Sequence, residues 1–387
     1  MDFVEVGREG HKSVSQSNRM NGVDRESGEN KRGFRNGIAE IGSDQARFNR
    51  HPVILDGAAS TIDARSGGKF ARNHPRESAE RNRVAQRTWR VFTSAIPAPT
   101  LFLMNIPLED GATDIIGKAQ RGLGLSDAEL ADKAGIDADE LDAVKQVRGV
   151  DFAKVEKLAK ALELGPKTLV AIAEGKYQPE VTRPKAGFFQ ANTPYSDDIR
   201  VNAYLVWDAE SGLAAAFDTG ADCAPLIEEI KKRDLTLQDI YLTHAHVDHV
   251  MELDRLIEKA GGSVGVHISE AEALDKAAMF QPGVTFSLGR LHIESRDTSG
   301  HSAGGTTYFI HGLDRPLAIV GDALFAGSAG GIKSDYRAAL KKIRDNILSA
   351  QDNTILAPGH GPLTTVIQEK TSNPFFPGFR RPVGQDI

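Results

Sequence analysis

Six consecutive positions, His244-Ala245-His246-Val247-Asp248-His249, hold three imidazoles and one carboxylate. Neutral imidazole is the commonest protein ligand for zinc-like ions, and a carboxylate beside it suits a harder position, so this density points to a metal site. The run follows Ile240-Tyr241-Leu242, an apolar stretch that reads as a buried strand. Side chains alternate along an extended backbone, which puts His244 and His246 on one side. Asp248 and His249 lie past the strand end, where a loop can turn them toward a neighbouring point. One cluster can therefore serve two adjacent metals.

A metal held by protein needs three or four ligands, and other strand ends supply them. His301 sits in Thr298-Ser299-Gly300-His301-Ser302-Ala303-Gly304-Gly305, between strand-like stretches at 291–294 and 306–310. Asp322 follows Leu317-Ala318-Ile319-Val320, and His360 follows Thr354-Ile355-Leu356-Ala357. Each ends an aliphatic run beside glycine, which lets backbones approach closely. His267 and His292 also fall in strand-like runs and read as structural rather than ligating.

The rest of the chain is organised differently. Residues 1–105 are rich in Arg, Ser, Asn and Gly and carry no sustained hydrophobic period, so a disordered leader is expected there. Asp24, Glu26, Glu29, Glu40 and Asp44 oppose the acid-poor pattern of an organelle transit peptide. From 106 to 178 the period becomes helical. Ile115, Ile116, Ala119 and Leu123 share one face, Ser126 and Glu129 form a capping box, Gly135 stops that helix, and Asp137 and Asp151 open the next two. Pro166 to Ala173 forms the last helix, and a linker rich in proline and aromatic residues, Pro179 through Pro194, leads into the third region, 179–387. A net charge of −6 gives no general reason to expect nucleic acid or an anionic membrane as partner. The single cysteine, Cys223, reads as a small buried residue, allows no disulfide framework and fits a cytoplasmic setting.

The run at 244–249, then His301, Asp322 and His360 in that order, with Phe217-Asp218-Thr219-Gly220 upstream, resembles the metallo-β-lactamase superfamily. The resemblance covers roughly 185 to 375 and implies an α+β fold: an αββα sandwich, here preceded by a small all-α domain. It implies that His244, His246 and His301 hold one divalent ion and Asp248, His249 and His360 a second, with Asp322 bridging and Asp218 orienting the ligand loop. Zinc is the expected metal, with iron or manganese as alternatives. Asp248 would also orient the attacking oxygen as the catalytic carboxylate, and Lys333 and Tyr336 stand near enough in sequence to contact substrate.

Within the superfamily, Asp322 in place of cysteine argues against a β-lactamase, and His246 in place of glutamate argues against a di-iron oxygen reductase. The stretch Pro358 to Pro362 with Thr364-Thr365 and Asn373-Pro374-Phe375-Phe376 is similar to glyoxalase II-like hydrolases, which act on hydroxyacyl thioesters. A hydroxide bridging two metals would attack a small acyl thioester. Gly330-Gly331 occupies the family's Lys or Arg position, and no helical glutathione grip follows His360, so only a weak preference for glutathione is expected. The alternatives are a persulfide dioxygenase with one iron on His244, His301 and Asp322, or a DNA-binding regulator with a metallo-β-lactamase sensor. The stretch from Glu129 to Ile136 is similar to a phage-repressor helix-turn-helix. Asp137, Asp139, Glu140 and Asp142 would repel phosphates, however, with Lys145 and Arg148 only at the far end. The helical region is instead expected to join two copies as a homodimer or to cover the sandwich mouth.

Overall fold

The computed structural model describes residues 106–146, 151–274 and 277–379. The expected leader over 1–105 lies outside the described residues. Five short helices come first: α1 (Ala112–Gly122), α2 (Asp127–Ala134), α3 (Ala138–Lys145), α4 (Phe152–Ala161) and α5 (Pro166–Ala173). Their starts are fixed locally. Ser126 and Glu129 cap each other's backbone N–H groups, Asp137 accepts from Glu140 N at 2.7 Å, and Asp151 accepts from Ala153 N at 3.0 Å. Each such cap contributes about 1 kcal/mol. Gly135 at φ +63° ends α2, a conformation other side chains resist.

The first sheet has the order β1-β2-β3-β4-β5-β6. Its early elements are β1 (Phe188–Pro194), β2 (Arg200–Trp207), β3 (Leu213–Phe217), helix α6 (Ala224–Arg233) and β4 (Thr236–Tyr241). The one-turn helix α7 (Val247–Val250), α8 (Leu253–Ala260), β5 (Ser263–His267) and β6 (Ala278–Phe280) complete it. The stretch expected as a linker up to Pro194 is therefore partly a strand. Phe188 through Pro194 pair antiparallel with Val206 through Arg200, and Pro194 is tolerated because β1 is an edge strand.

The second sheet begins with β7 (Thr285–Leu288), β8 (Leu291–Asp297), β9 (Thr306–His311) and β10 (Leu317–Gly321). The hairpin of β11 (Leu324–Phe325) and β12 (Ser328–Ala329), helix α9 (Tyr336–Asn346), β13 (Ile355–Pro358), β14 (Thr364–Thr365) and α10 (Val366–Ser372) follow, and the sheet order is β14-β13-β10-β9-β8-β7.

Strict alternation sorts the strands into layers. Tyr204, Val206, Ala215, Phe217 and Tyr241 face Tyr308, Ile310, Leu317, Ile319 and Ile355 between the sheets. Their neighbours Leu205, Ala214, Ala216 and Ile240 turn outward onto α6 and α8. On the other outer face Phe309, Ala318, Val320 and Leu356 join a core shared with α1 to α5, α9 and α10. Burying one large apolar side chain contributes about 1.5–3 kcal/mol, so each layer is held by many such contributions. The five helices and both sheets belong to one compact unit. Among the described residues, no helix is long and apolar enough to cross a membrane.

Candidate metal centre

β3, β4, β10 and β13 all deliver their C-terminal ends to one edge of the sandwich, where the chain turns sharply. β4 stops at Tyr241; Thr243 to His246 form a loop; Asp248 and His249 ride on α7 rather than on an open loop. The glycine-rich turn after β8 brings in His301, the end of β10 brings in Asp322, and the end of β13 brings in His360. The result is two ligand groups, His244, His246, His301 and Asp322 in one, and Asp248, His249 and His360 in the other.

The atoms converge. His246 Nδ1 lies 2.9 Å from both His244 Nε2 and His301 Nε2. His360 Nε2 lies 3.2 Å from Asp248 Oδ2, and His249 Nε2 lies 3.6 Å from the same oxygen. Asp322 stands between the groups, with Oδ2 3.4 Å from His301 Nε2 and 3.5 Å from His360 Nε2, and Oδ1 3.4 Å from His249 Nε2.

The far side of the rings is equally ordered. His301 Nδ1 donates to Gly331 O at 2.9 Å, His360 Nδ1 to Arg200 O at 2.7 Å and His249 Nδ1 to Asp218 Oδ2 at 2.9 Å. Thr243 Oγ1 donates to Asp218 Oδ2 at 2.8 Å, which leaves it to accept from His244 Nδ1 at 3.0 Å. Each of these four rings is held through Nδ1 and turns Nε2 toward the centre, the orientation a metal-ligating imidazole requires. Asp218 also accepts from Thr243 N at 2.7 Å and is held at φ +59°, a conformation aspartate adopts at a local cost.

Two buried atoms of this cluster, His249 Nε2 and Asp322 Oδ1, have no hydrogen-bond partner. Leaving such atoms unsatisfied costs roughly 1–3 kcal/mol each, and a cation between them removes the penalty. The space is shaped for it: a Cβ on Gly359 would stand 2.1 Å from Asp322 Oδ1 and 2.7 Å from His249 Cε1. The donor set of five imidazoles and two carboxylates fits zinc-like divalent ions.

Charge follows the same geometry. Burial opposes a proton on His249, but Asp322 and Asp218 outweigh it and push the ring up to about 10. Burial is likewise outweighed at His360, where Asp248 and Asp322 push it up to about 11. His244 is held well below the ordinary histidine range by burial and by its imidazole neighbours. The Asp322 carboxyl is held well below the ordinary carboxylate range by His249 and His360 despite burial. The negative charge of Asp218, Asp248 and Asp322 is thus concentrated where the imidazoles meet.

All seven expected ligand residues and Asp218 are brought together. Lys333 also reaches the cluster, its Nζ 3.1 Å from His246 Nε2. Tyr336 does not: it heads α9, is 9% exposed and packs its ring against Gly122 of α1, so the expected substrate contact is corrected to a core role. Cys223 is buried at the start of α6, and burial pushes its thiol up to about 11.

Two positioning residues were not anticipated. Glu270 accepts from Ala245 N at 3.1 Å and from Gly304 N at 2.6 Å, tying the His244–His246 loop to the His301 turn. Asn202, fully buried in β2, donates through Nδ2 to Pro358 O and Gly361 O at 2.9 Å each, holding the His360 turn. Asn202 carried a signal, since an amide inside Val201-Asn202-Ala203-Tyr204-Leu205 breaks an apolar strand; Glu270 carried none.

The metallo-beta-lactamase superfamily model matches residues 197–360. The probable metallo-hydrolase YqgX of Bacillus subtilis is 32% identical over 203 residues, which span 47% of this chain and 94% of that protein. The chain belongs to the metallo-β-lactamase superfamily. Hydroxyacylglutathione hydrolase GloC of Haemophilus influenzae is 31% identical over 197 residues, 45% of this chain and 92% of that protein. Among solved structures, the BLEG-1 B3 metallo-beta-lactamase is similar at 29% identity and a TM-score of 0.45, covering 49% of this chain and 99% of that one.

Proposed function

We propose that this metallo-β-lactamase-fold protein is a metal-dependent hydrolase of small acyl thioesters. The observation that carries the reading is Asp322, placed between two ligand groups, four of whose five imidazoles are fixed from behind. His244, His246, His301 and Asp322 would hold one divalent ion, and Asp248, His249, His360 and Asp322 the other. Two such ions lower the pKa of water from 15.7 toward about 7 and polarise an acyl carbonyl. Asp248 is half-buried, and its Oδ1 has no protein partner among the described residues, so it is free to orient an attacking water. Lys333 carries an ammonium at the mouth beside His246, suited to an anionic oxygen of the substrate. The similarity to a hydroxyacylglutathione hydrolase supports a hydroxyacyl thioester as substrate.

The helical region is read as part of this enzyme in the cytoplasm rather than as a nucleic-acid reader. Its helix α3 exposes Asp139 and Asp142, Lys145 is paired with Asp127, and Lys154 of α4 is paired with Glu140. Purified protein is expected to contain two equivalents of zinc, iron or manganese and to hydrolyse an S-lactoyl thioester. One equivalent of iron, with persulfide-dependent oxygen uptake and no thioester turnover, would replace this reading by the dioxygenase.

A further inference from the structure

The matched family region begins at residue 197, yet the chain reaches the metal centre once before it. The segment leading into α1 crosses the turn that carries His360. Gly361 sits at φ +73°, and a Cβ there would stand 3.0 Å from Glu109 N, 3.4 Å from Glu109 Cβ and 3.6 Å from Pro107 O. The crossing is anchored directly after Glu109. Asp110, itself buried, accepts from Ser328 Oγ at 2.5 Å and from Lys118. Lys118 donates in turn to Ala329 O at 2.9 Å and lies 4.8 Å from the Phe325 ring centre, and Phe325 meets the His360 ring edge-on at 5.7 Å.

Lys118 is thereby committed to Asp110, and half-buried Glu109 has no ion-pair partner among the described residues. The charged groups around its carboxylate are His360 and Lys118 of one sign and Asp110 and Asp322 of the other. Lys333 stands instead at the other ligand group, beside His246. Glu109 therefore stands on the His360 side of the centre with no ion pair of its own, and Lys333 stands on the His246 side.

We infer that Glu109, delivered by the helical region from outside the family domain, is a specificity-determining residue that favours substrates with a cationic arm over substrates with an anionic one. A half-buried carboxylate attracts an ammonium and repels a second carboxylate, and the lysine nearest to it is already paired with Asp110. This reading also gives a chemical task to the region expected from its sequence to join two copies or to cover the sandwich mouth. The choice of thioesters as probes rests on the proposed hydrolase reading.

The test pairs one acyl group with two thiols of similar size, cysteamine and 3-mercaptopropionate. The zinc-loaded full chain is expected to hydrolyse the cysteamine ester with the higher kcat/KM. Glu109→Gln should shrink that preference about tenfold, mainly through KM, and Glu109→Lys should invert it. Calorimetric binding of the two free thiols to the same proteins gives a readout independent of turnover. If neither ester is cleaved but cysteamine binding still weakens relative to 3-mercaptopropionate in Glu109→Gln, the thioesterase reading fails and the role of Glu109 stands. Hydrolysis and binding ratios that are the same in wild type and both variants overturn the role of Glu109.

Discussion

Asp218 makes three hydrogen bonds, to Thr243 N, Thr243 Oγ1 and His249 Nδ1, and through them it fixes one imidazole of each ligand group. Glu270 does the same job with two backbone groups, one on the His244–His246 loop and one on the His301 turn. Such outer contacts typically set 10- to 100-fold in metal affinity, about the same scale as losing a weak ligand. Glu270→Gln keeps one acceptor and turns an amine toward the other N–H. It is expected to weaken metal binding about tenfold, read by competition with a chromophoric chelator, while the circular dichroism spectrum stays the same. Unchanged affinity would mean that the loops hold themselves. Asp322→Asn addresses the position between the groups. Elemental analysis of that variant should find one metal equivalent or fewer where two are expected for the wild type, and an unchanged metal content would rule out the proposed bridging role of Asp322.

At the scale of elements, the sheets are joined at the end away from the site by a carboxylate. Asp208, between β2 and β3, accepts from Arg290 N at 3.2 Å and Arg290 Nη2 at 2.9 Å in the β7–β8 turn, and from Ser211 Oγ at 2.9 Å. Arg290 and these neighbours hold its carboxyl well below the ordinary carboxylate range. A carboxyl depressed in the folded state stabilises at pH values above its unfolded pKa, near 4, and that contribution is lost as pH falls through the folded value. Asp208→Asn should therefore lower the urea midpoint at pH 7, and the gap to wild type should narrow steadily below pH 4. A gap that does not vary with pH would assign the loss to packing.

Helices α2 and α3 meet at Gly135 in the order of a repressor motif, but the charges facing solvent on α3 are acidic. Low-salt gel shifts with random and genomic DNA are expected to show no sequence-selective complex below micromolar protein. A selective complex that weakens steeply with salt would overturn the reading of this region as part of the enzyme.

Across the whole molecule, the helical region and the second sheet share one apolar core, so the region that looks appended in sequence is packed as an integral layer. A buried carboxylate fastens it. Glu369 of α10 accepts from Tyr177 Oη at 2.8 Å, just beyond α5, from Gly327 N at 3.0 Å in the β11–β12 turn, and from Asn373 Nδ2 at 2.8 Å. Burial pushes its carboxyl up, and these donors work against that shift. Glu369→Ala leaves those donors buried and unpaired, and is expected to cost about 3 kcal/mol or more, measured by denaturant unfolding. A loss below about 1 kcal/mol would show that water replaces the carboxylate and that the two parts are held by apolar contact alone.

The candidate ligand set was legible in the sequence because its chemistry is dense and most of its residues follow apolar strands: His244 to His249, His301, Asp322 and His360 need no tertiary information to stand out. The helix starts at Ser126, Asp137 and Asp151 were equally legible, since a cap acts over three or four residues. What the sequence left open depends on contacts between distant positions. Glu270 and Asn202 act on backbone groups, which have no sequence signature. The strand character of 188–194 depends on pairing with β2, which overrides the turn tendency of proline at the edge. Tyr336 looked available beside Lys333, but helix α9 turns it into the core against Gly122. Glu109 lies more than two hundred residues from His360 along the chain, and the packing of α1 on the β11–β12 hairpin brings it against Gly361 in the His360 turn. Local chemistry and periodicity were written in the order of residues; the fixing and selectivity of the site arise where chain segments meet in space.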